Sequence, residues 1–234
     1  MKTIDQDYIE NKFIEYAKLN TRSEIESNAV PSTARQVVLL KNLEQELNNL
    51  GLKDVSYSDK DAYVVGRIPS NVTEKITPIG FVAHVDTADF NAENIEPQIH
   101  HNYDGTDIDL GHGYTLSAKE FPSLKKVIGH TLITTSGDTL LGADDKAGIA
   151  GLLGMAKYLN ENSDIKHGDL WLAFGPDEEI GKGQLDLMLK DFRLNSLIPW
   201  IMAIREILPT KHLMRQVQEL KLKERSSIQV KHMG

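Results

Sequence analysis

Three short apolar runs, residues 79–85, 131–135 and 170–174, each lead into charged residues, and this restricts the fold more than any other feature of the chain. Runs of this length and character are the pattern of strands covered on both faces. Elsewhere the spacing is helical. Residues 4–19 place Ile9, Phe13 and Tyr16 at helical intervals. Pro31-Ser-Thr-Ala opens a second helix, with Thr33 and Gln36 spaced as a capping box and Gly51 closing it after Leu43, Leu47 and Leu50. Residues 145–159 form a third, with Ala147, Ile149, Ala150, Leu152, Leu153 and Ala156 available to pack. Residues 55–57 and 63–68 read as short strands around a polar turn at Asp59-Lys-Asp, and residues 91–126 as loops and small strands. Strand, helix, strand in this order predicts an α/β fold with a mainly parallel central sheet flanked by helices.

The composition removes several classes of function. With 234 residues and a net charge of −8, the chain lacks the basic field of a general nucleic-acid binder. Its lack of cysteine excludes a disulfide framework, a thiolate metal site and a cysteine nucleophile. No run approaches the ~18 apolar residues of a membrane span, and the opening Met1-Lys-Thr-Ile-Asp-Gln-Asp has no apolar signal region. The expectation is a soluble, cytoplasmic protein with no nucleic-acid or membrane partner.

The charged ends of the runs carry the chemistry. His84-Val-Asp86-Thr closes the first; positions i and i+2 of a strand share a face, so His84 and Asp86 can meet. A carboxylate on one imidazole nitrogen leaves the other free to bind a metal; the plainer alternative is a satisfied buried histidine beside a turn-forming acid. Asp144-Asp145-Lys146, flanked by Gly142 and Gly148, precedes the third helix, where acids also serve as caps and dipole partners. Pro176-Asp177-Glu178-Glu179 follows the third run, either as a solvated turn or as an acidic cluster relieved by a cation. All three groups lie beyond the C-terminal ends of expected strands, where open α/β sheets form ligand crevices. One imidazole with several carboxylates suits Zn²⁺, Mn²⁺ or Co²⁺. A free Glu beside a ligating one supplies a base for a metal-activated water, so hydrolysis at a metal centre fits best.

Over about residues 1–183 the sequence resembles the M20 family of co-catalytic zinc peptidases, and within it the tripeptide aminopeptidases. The strings that carry this are Thr21-Arg-Ser23, Val30-Pro-Ser-Thr33, Ala83-His-Val-Asp-Thr87, Asn102-Tyr-Asp-Gly105, Gly129-His-Thr-Leu132, residues 140–148 and residues 176–183. The resemblance implies that His84 binds one zinc and Asp86 orients it, that Asp144 bridges two ions, and that Glu179 binds the second. It makes Glu178 the general base, acting on a water shared by the two ions, and implies release of the N-terminal residue of tripeptides in the cytoplasm. Asn102-Tyr-Asp-Gly105 and residues 139–148 favour this branch over the dipeptidases and N-acyl amino acid deacylases of the family. A non-catalytic module, whose acids cap helices or weakly bind Ca²⁺ or Mg²⁺, is the competing class. The remaining histidines, His100, His101, His112, His130 and His167, have no acid-rich strand-end setting and read as structural or exposed.

The chain changes character after Gly183. Sixteen of its 17 glycines lie in residues 1–183; residues 184–234 carry nine basic and five acidic groups, a net +4 against −12 for the remainder, and four of the six methionines. Family members continue with YT-x-DG, a lid and dimerisation domain with HPG, and a late histidine. None of these is legible here, and His212 and His232 have no matching context. With permitted codons, reading from the third base of each codon spells F-A-Y-T-M-D-N-G over residues 195–203, F-T-Y-E-T-F-N-A-A over 207–216 and G-K-V-V-H-P-G over 223–230. The expectation is a partial catalytic domain over 1–183 and a frameshifted, weakly structured or helical tail over 184–234; the alternative keeps the tail as native sequence, with helix-like windows at Leu185, Met188 and Leu189, at 198–208 and at 217–222. Such a chain lacks ligands for both zinc sites, has little peptidase activity and cannot form the family's homodimer.

Overall fold

The computed structural model describes residues 3–183 and 197–199, all within a unit that runs from Met1 to Ile201. Its core begins with the leucines of α2 (Ala34–Asn49): Leu39, Leu40, Leu43 and Leu47 are all fully buried. They share one apolar cluster with Ile149, Leu152, Leu153 and Ala156 of α3 (Ala143–Glu161). The sheet meets this cluster through alternate residues, Val64 and Ile68 of β2 (Val64–Ile68) and Leu172 and Phe174 of β8 (Leu170–Gly175). Each such buried side chain contributes about 1.5–3 kcal/mol relative to exposure. Between them, Val65 and Ala173 point to the other face, where they form a smaller cluster with Tyr63 and Val82. Helix α1 (Gln6–Ala17), capped by Asp5 accepting from the Tyr8 amide, adds Phe13 and Ala17 against Ala150 of α3.

The main sheet runs β1-β2-β8-β3-β9, with β1 at Lys53–Tyr57, β3 at Ile79–His84 and β9 at Leu197–Pro199. β3 is parallel to β8 and β9, whereas β2 is antiparallel to β1 and β8. The sheet is therefore mixed rather than mainly parallel, because β1 and β2 form a hairpin around residues 58–63. The α/β class stands. Two further departures arise from local packing. Residues 131–135 do not enter the main sheet; β7 (Leu132–Thr134) pairs with β4 (Gln98–His100) in a separate two-stranded sheet. β5 (Ile108–Gly111) and β6 (Tyr114–Leu116) form a second such hairpin, with a 3-10 helix after it at Pro122–Val127. β3 is also only half-buried at Ile79, Phe81 and Val82: Phe81 packs at the edge of the α2–α3 cluster, and Val82 faces the smaller cluster on the other side of the sheet.

Residues 197–199 form a strand where a helix-like window begins at 198, so the start of that window is extended. The rest of the expectation for residues 184–234 lies outside the described residues.

The register of β3 against β8 sets where the charged strand ends meet. Ile79 faces Leu170 and His84 faces Gly175, so both strands end at the same level. Tyr63 crosses this end so closely that a Cβ on Gly175 would sit 2.2 Å from its ring. A strand glycine normally gains from replacement by alanine, but Gly175→Ala should instead destabilise the protein by about 1–3 kcal/mol through overpacking. Urea unfolding of the two proteins measures this; an unchanged or raised midpoint would show that the ring yields freely.

Candidate metal centre

The shared level of β3 and β8 puts His84 beside the turn that begins after Gly175. Asp86, two residues beyond His84 on the same face, has no solvent exposure. Its carboxylate accepts the Glu178 amide at 3.0 Å and the Glu179 amide at 3.1 Å. His84 Nδ1 lies 3.0 Å from the Asp86 carbonyl oxygen and 3.3 Å from the Asp86 carboxylate. With Nδ1 turned to these oxygens, Nε2 faces the third group and stands 3.0 Å from Asp144 Oδ1 and 3.8 Å from Glu178 Oε2.

Asp144 reaches this point because α3 does not begin regularly. Gly142 is left-handed (φ 72°), and Asp144 and Asp145 have non-helical backbone angles before the helix proper. The turn leaves the Asp144 side chain half exposed toward His84, while Asp145 points inward and is buried. Burial pushes the Asp145 carboxyl up to about 7, with the Asp144 charge adding to the rise, and its Oδ2 has no hydrogen-bond partner. Lys146, also buried, donates to the Leu19 carbonyl at 2.6 Å, and desolvation draws its amine down to about 7.

The structure thus brings His84, Asp144 and Glu179 together, with one ligand atom from each lying within 4.8 Å of the others. They form one such group among the described residues. Glu178 stands beside them with its side chain 60% exposed. Atoms bound to one zinc at about 2.0–2.2 Å lie roughly 3.3–3.6 Å apart in a tetrahedron, so small side-chain rotations close this set on an ion. One imidazole fixed through Nδ1 and two carboxylates make a hard-to-borderline donor set, and it fits a divalent metal. Burial by itself lowers the His84 pKa, but the hydrogen bonds to Asp144 and Asp86 and the Asp145 charge outweigh it and raise it to about 11. Burial also raises the Glu179 carboxyl, helped by the charges of Asp144, Asp86 and Glu178.

One part of the acidic turn differs from a cluster of three repelling carboxylates. Asp177 is buried and faces away from Glu178 and Glu179, toward Ser32 and Gln36. Gln36 accordingly does not complete a capping box with Thr33, which caps α2 without a side-chain hydrogen bond to its amides. Nothing in the spacing of residues 176–179 marks Asp177 as different; the string at residues 30–33 was the available signal. Among the other histidines, His100 bonds Thr134 Oγ1 at 2.9 Å and His112 pairs with Asp138 at 3.2 Å, outside the cluster.

No protein-family model matches the chain. Curated proteins called peptidase T do. That of Limosilactobacillus fermentum is 51% identical over 183 residues, covering 77% of this chain and 44% of the relative. Those of Fusobacterium nucleatum and Enterococcus faecalis are each 50% identical, over 79% and 74% of this chain and 45% and 43% of the relatives. The chain thus spans less than half the length of the curated relatives it matches. Among solved structures, a tripeptidase from Staphylococcus aureus superposes with a TM-score of 0.50 at 22% identity, covering 83% of this chain and 41% of that one. LapB from Legionella pneumophila gives 0.50 at 17% identity, over 85% and 43%. Both agree in fold.

A raised imidazole pKa contributes stability that is fully present below the unfolded value, near 6.5, and is lost as pH rises toward about 11. In chelator-treated protein, His84→Asn should therefore remove a component of stability that wild type loses between about pH 6.5 and pH 9. Thermal midpoints of the two proteins across that range check it; parallel curves would contradict a protonated His84.

Proposed function

We propose that this homologue of the peptidase T proteins carries the front part of a metal-dependent aminopeptidase site, one that removes the N-terminal residue from tripeptides in the cytoplasm. The observation that supports this reading most is the convergence of His84, Asp144 and Glu179 on one point, with Asp86 holding both His84 and the turn that bears Glu178 and Glu179. A divalent ion bound there supplies Lewis acidity and lowers the pKa of a water at the site. In the zinc form of the proposal His84 and Asp144 would hold one ion and Asp144 and Glu179 a second; Mn²⁺ or Co²⁺ also suits these ligands.

The chain's own groups have separate tasks. Asp86 takes the Nδ1 side of His84, so that Nε2 is the nitrogen presented to the ion. Glu178 stays out of the three-ligand set and stands beside it, 3.8 Å from His84 Nε2, where a base for a water at the site would be placed. It accepts a proton from the attacking water and passes one to the departing amine of the shortened peptide. The partner is a small peptide.

In a two-ion centre, residues 1–183 offer each ion two protein ligands, where catalytic zinc sites usually have three. The chain as written should therefore bind zinc weakly and release little product. Isothermal titration should show Zn²⁺, Mn²⁺ or Co²⁺ bound in preference to Ca²⁺ and Mg²⁺, with a loss of about tenfold or more on His84→Ala. Preference for Ca²⁺ would favour a hard-oxygen site instead, and robust metal-dependent cleavage of tripeptides would contradict the expected inactivity. Residues 184–234 belong to this proposal as a frameshifted tail. Coding DNA from codon 183 onward should spell YT-x-DG and HPG in the displaced frame; DNA that cannot spell them removes the frameshift.

A further inference from the structure

The turn that presents Glu178 and Glu179 is held from two sides, and only one of them is Asp86. On the other side Asp177 turns its carboxylate into the N-terminal end of α2, more than 140 residues away in sequence. Oδ2 accepts the Ser32 amide at 2.7 Å, and Oδ1 accepts the Ser32 hydroxyl at 2.5 Å and the Gln36 side-chain amide at 2.7 Å. Gln36 closes the ring by accepting the Asp177 backbone N–H at 3.2 Å. All three residues are buried: Gln36 fully, Asp177 to 2% and Ser32 to 7% exposure. A carboxylate so far out of water is stable only when its oxygens are bonded, and here three donors do that without a cation. The position also suits its charge, because α2 has no acidic residue in its first turn and the Thr33 hydroxyl accepts no cap hydrogen bond from its amides.

The backbone shows what this grip does. Asp177 has φ 62°, a left-handed conformation that Asp tolerates better than most residues but that still needs outside support. The next two residues are Glu178 and Glu179, whose amides reach Asp86. Farther along the turn, the Lys182 amide returns to the Asp177 carbonyl at 2.9 Å. The Lys182 ammonium donates to the carbonyls of Ile25 and Ser27 at 2.6 and 2.7 Å. The segment before α2 therefore grips the turn at both ends.

We propose that Asp177, clamped by Ser32 and Gln36, is a positioning residue for the metal centre: it sets the left-handed turn that aims Glu179 at His84 and Asp144 and places Glu178 beside them. The inference rests on reading that cluster as a metal site, and it gives residues 30–36 a role in the site without contact to the ion. Loss of such an outer support lowers metal affinity by about 10–100-fold.

Co²⁺ serves as the probe, since its visible absorption reports ligand identity and geometry independently of peptidase activity. Asp177→Asn keeps the side chain's size and its tolerance of positive φ, but presents an amide N–H₂ to the Ser32 donors; Ser32→Ala deletes a single oxygen and supplies the reading if Asp177→Asn fails to fold. Both should weaken Co²⁺ binding by about tenfold or more and alter its spectrum while the far-ultraviolet dichroism stays native. Leu43→Ala, which weakens the core away from the turn, should lower the melting temperature and leave the spectrum of bound Co²⁺ unchanged. Folded Asp177 and Ser32 variants with wild-type affinity and spectrum would overturn the positioning role, as would an equal spectral change in Leu43→Ala. A wild-type chain that takes up no Co²⁺ at all would instead overturn the metal reading on which the inference stands.

Discussion

A carboxylate with no access to water must find its hydrogen bonds inside the protein, and Asp86 finds them in the backbone amides of Glu178 and Glu179 and in the ring of His84. This requirement joins two pieces of chain about ninety residues apart. It is met because β3 and β8 are parallel and in register, so that His84 and Gly175 end their strands side by side. Slip that register by one residue and His84 moves to the other face of the sheet. Removal of the Asp86 carboxylate alone leaves the Glu178 and Glu179 amides without their acceptor, while His84 keeps the Asp86 carbonyl, so the turn loses its tie to the strand that carries His84.

The same economy of contacts explains the charge at the site. Asp144, Glu178 and Glu179 gather near one imidazole, and behind them the buried Asp145 and Lys146 are both pushed toward their neutral forms. Like charges at this spacing repel, so the cluster is stable only with positive charge among them. A protonated His84 provides it, and its pKa accordingly lies far above the usual imidazole range. A divalent ion bound there would provide more charge and displace that proton, so metal uptake and proton release would be coupled and acid would weaken binding.

Much of this was legible in the sequence. The apolar runs at 79–85 and 170–174 became β3 and β8, and their charged ends met as the period-2 argument required for His84 and Asp86. The glycine before Asp144 marked the turn that aims it. Other features depended on contacts between segments far apart in the chain. Periodicity could not show that residues 131–135 would pair with residues 98–100 and leave the main sheet, nor that β2 would run antiparallel to β8. Asp177 looked like its two acidic neighbours because its distinction lies in a backbone angle and in partners near residue 32. Gln36 matched a local capping pattern, and tertiary hydrogen bonds drew it elsewhere.

The proposed metal-binding point of His84, Asp144 and Glu179 is tested most directly by X-ray absorption at the zinc edge of concentrated, Zn²⁺-loaded protein. The spectrum should show scattering from a single imidazole, with carboxylate or water oxygens completing the shell at about 2.0–2.2 Å, and the imidazole signal should be lost in His84→Asn. An oxygen-only shell, or an imidazole signal that survives that substitution, would contradict a metal held by these three residues.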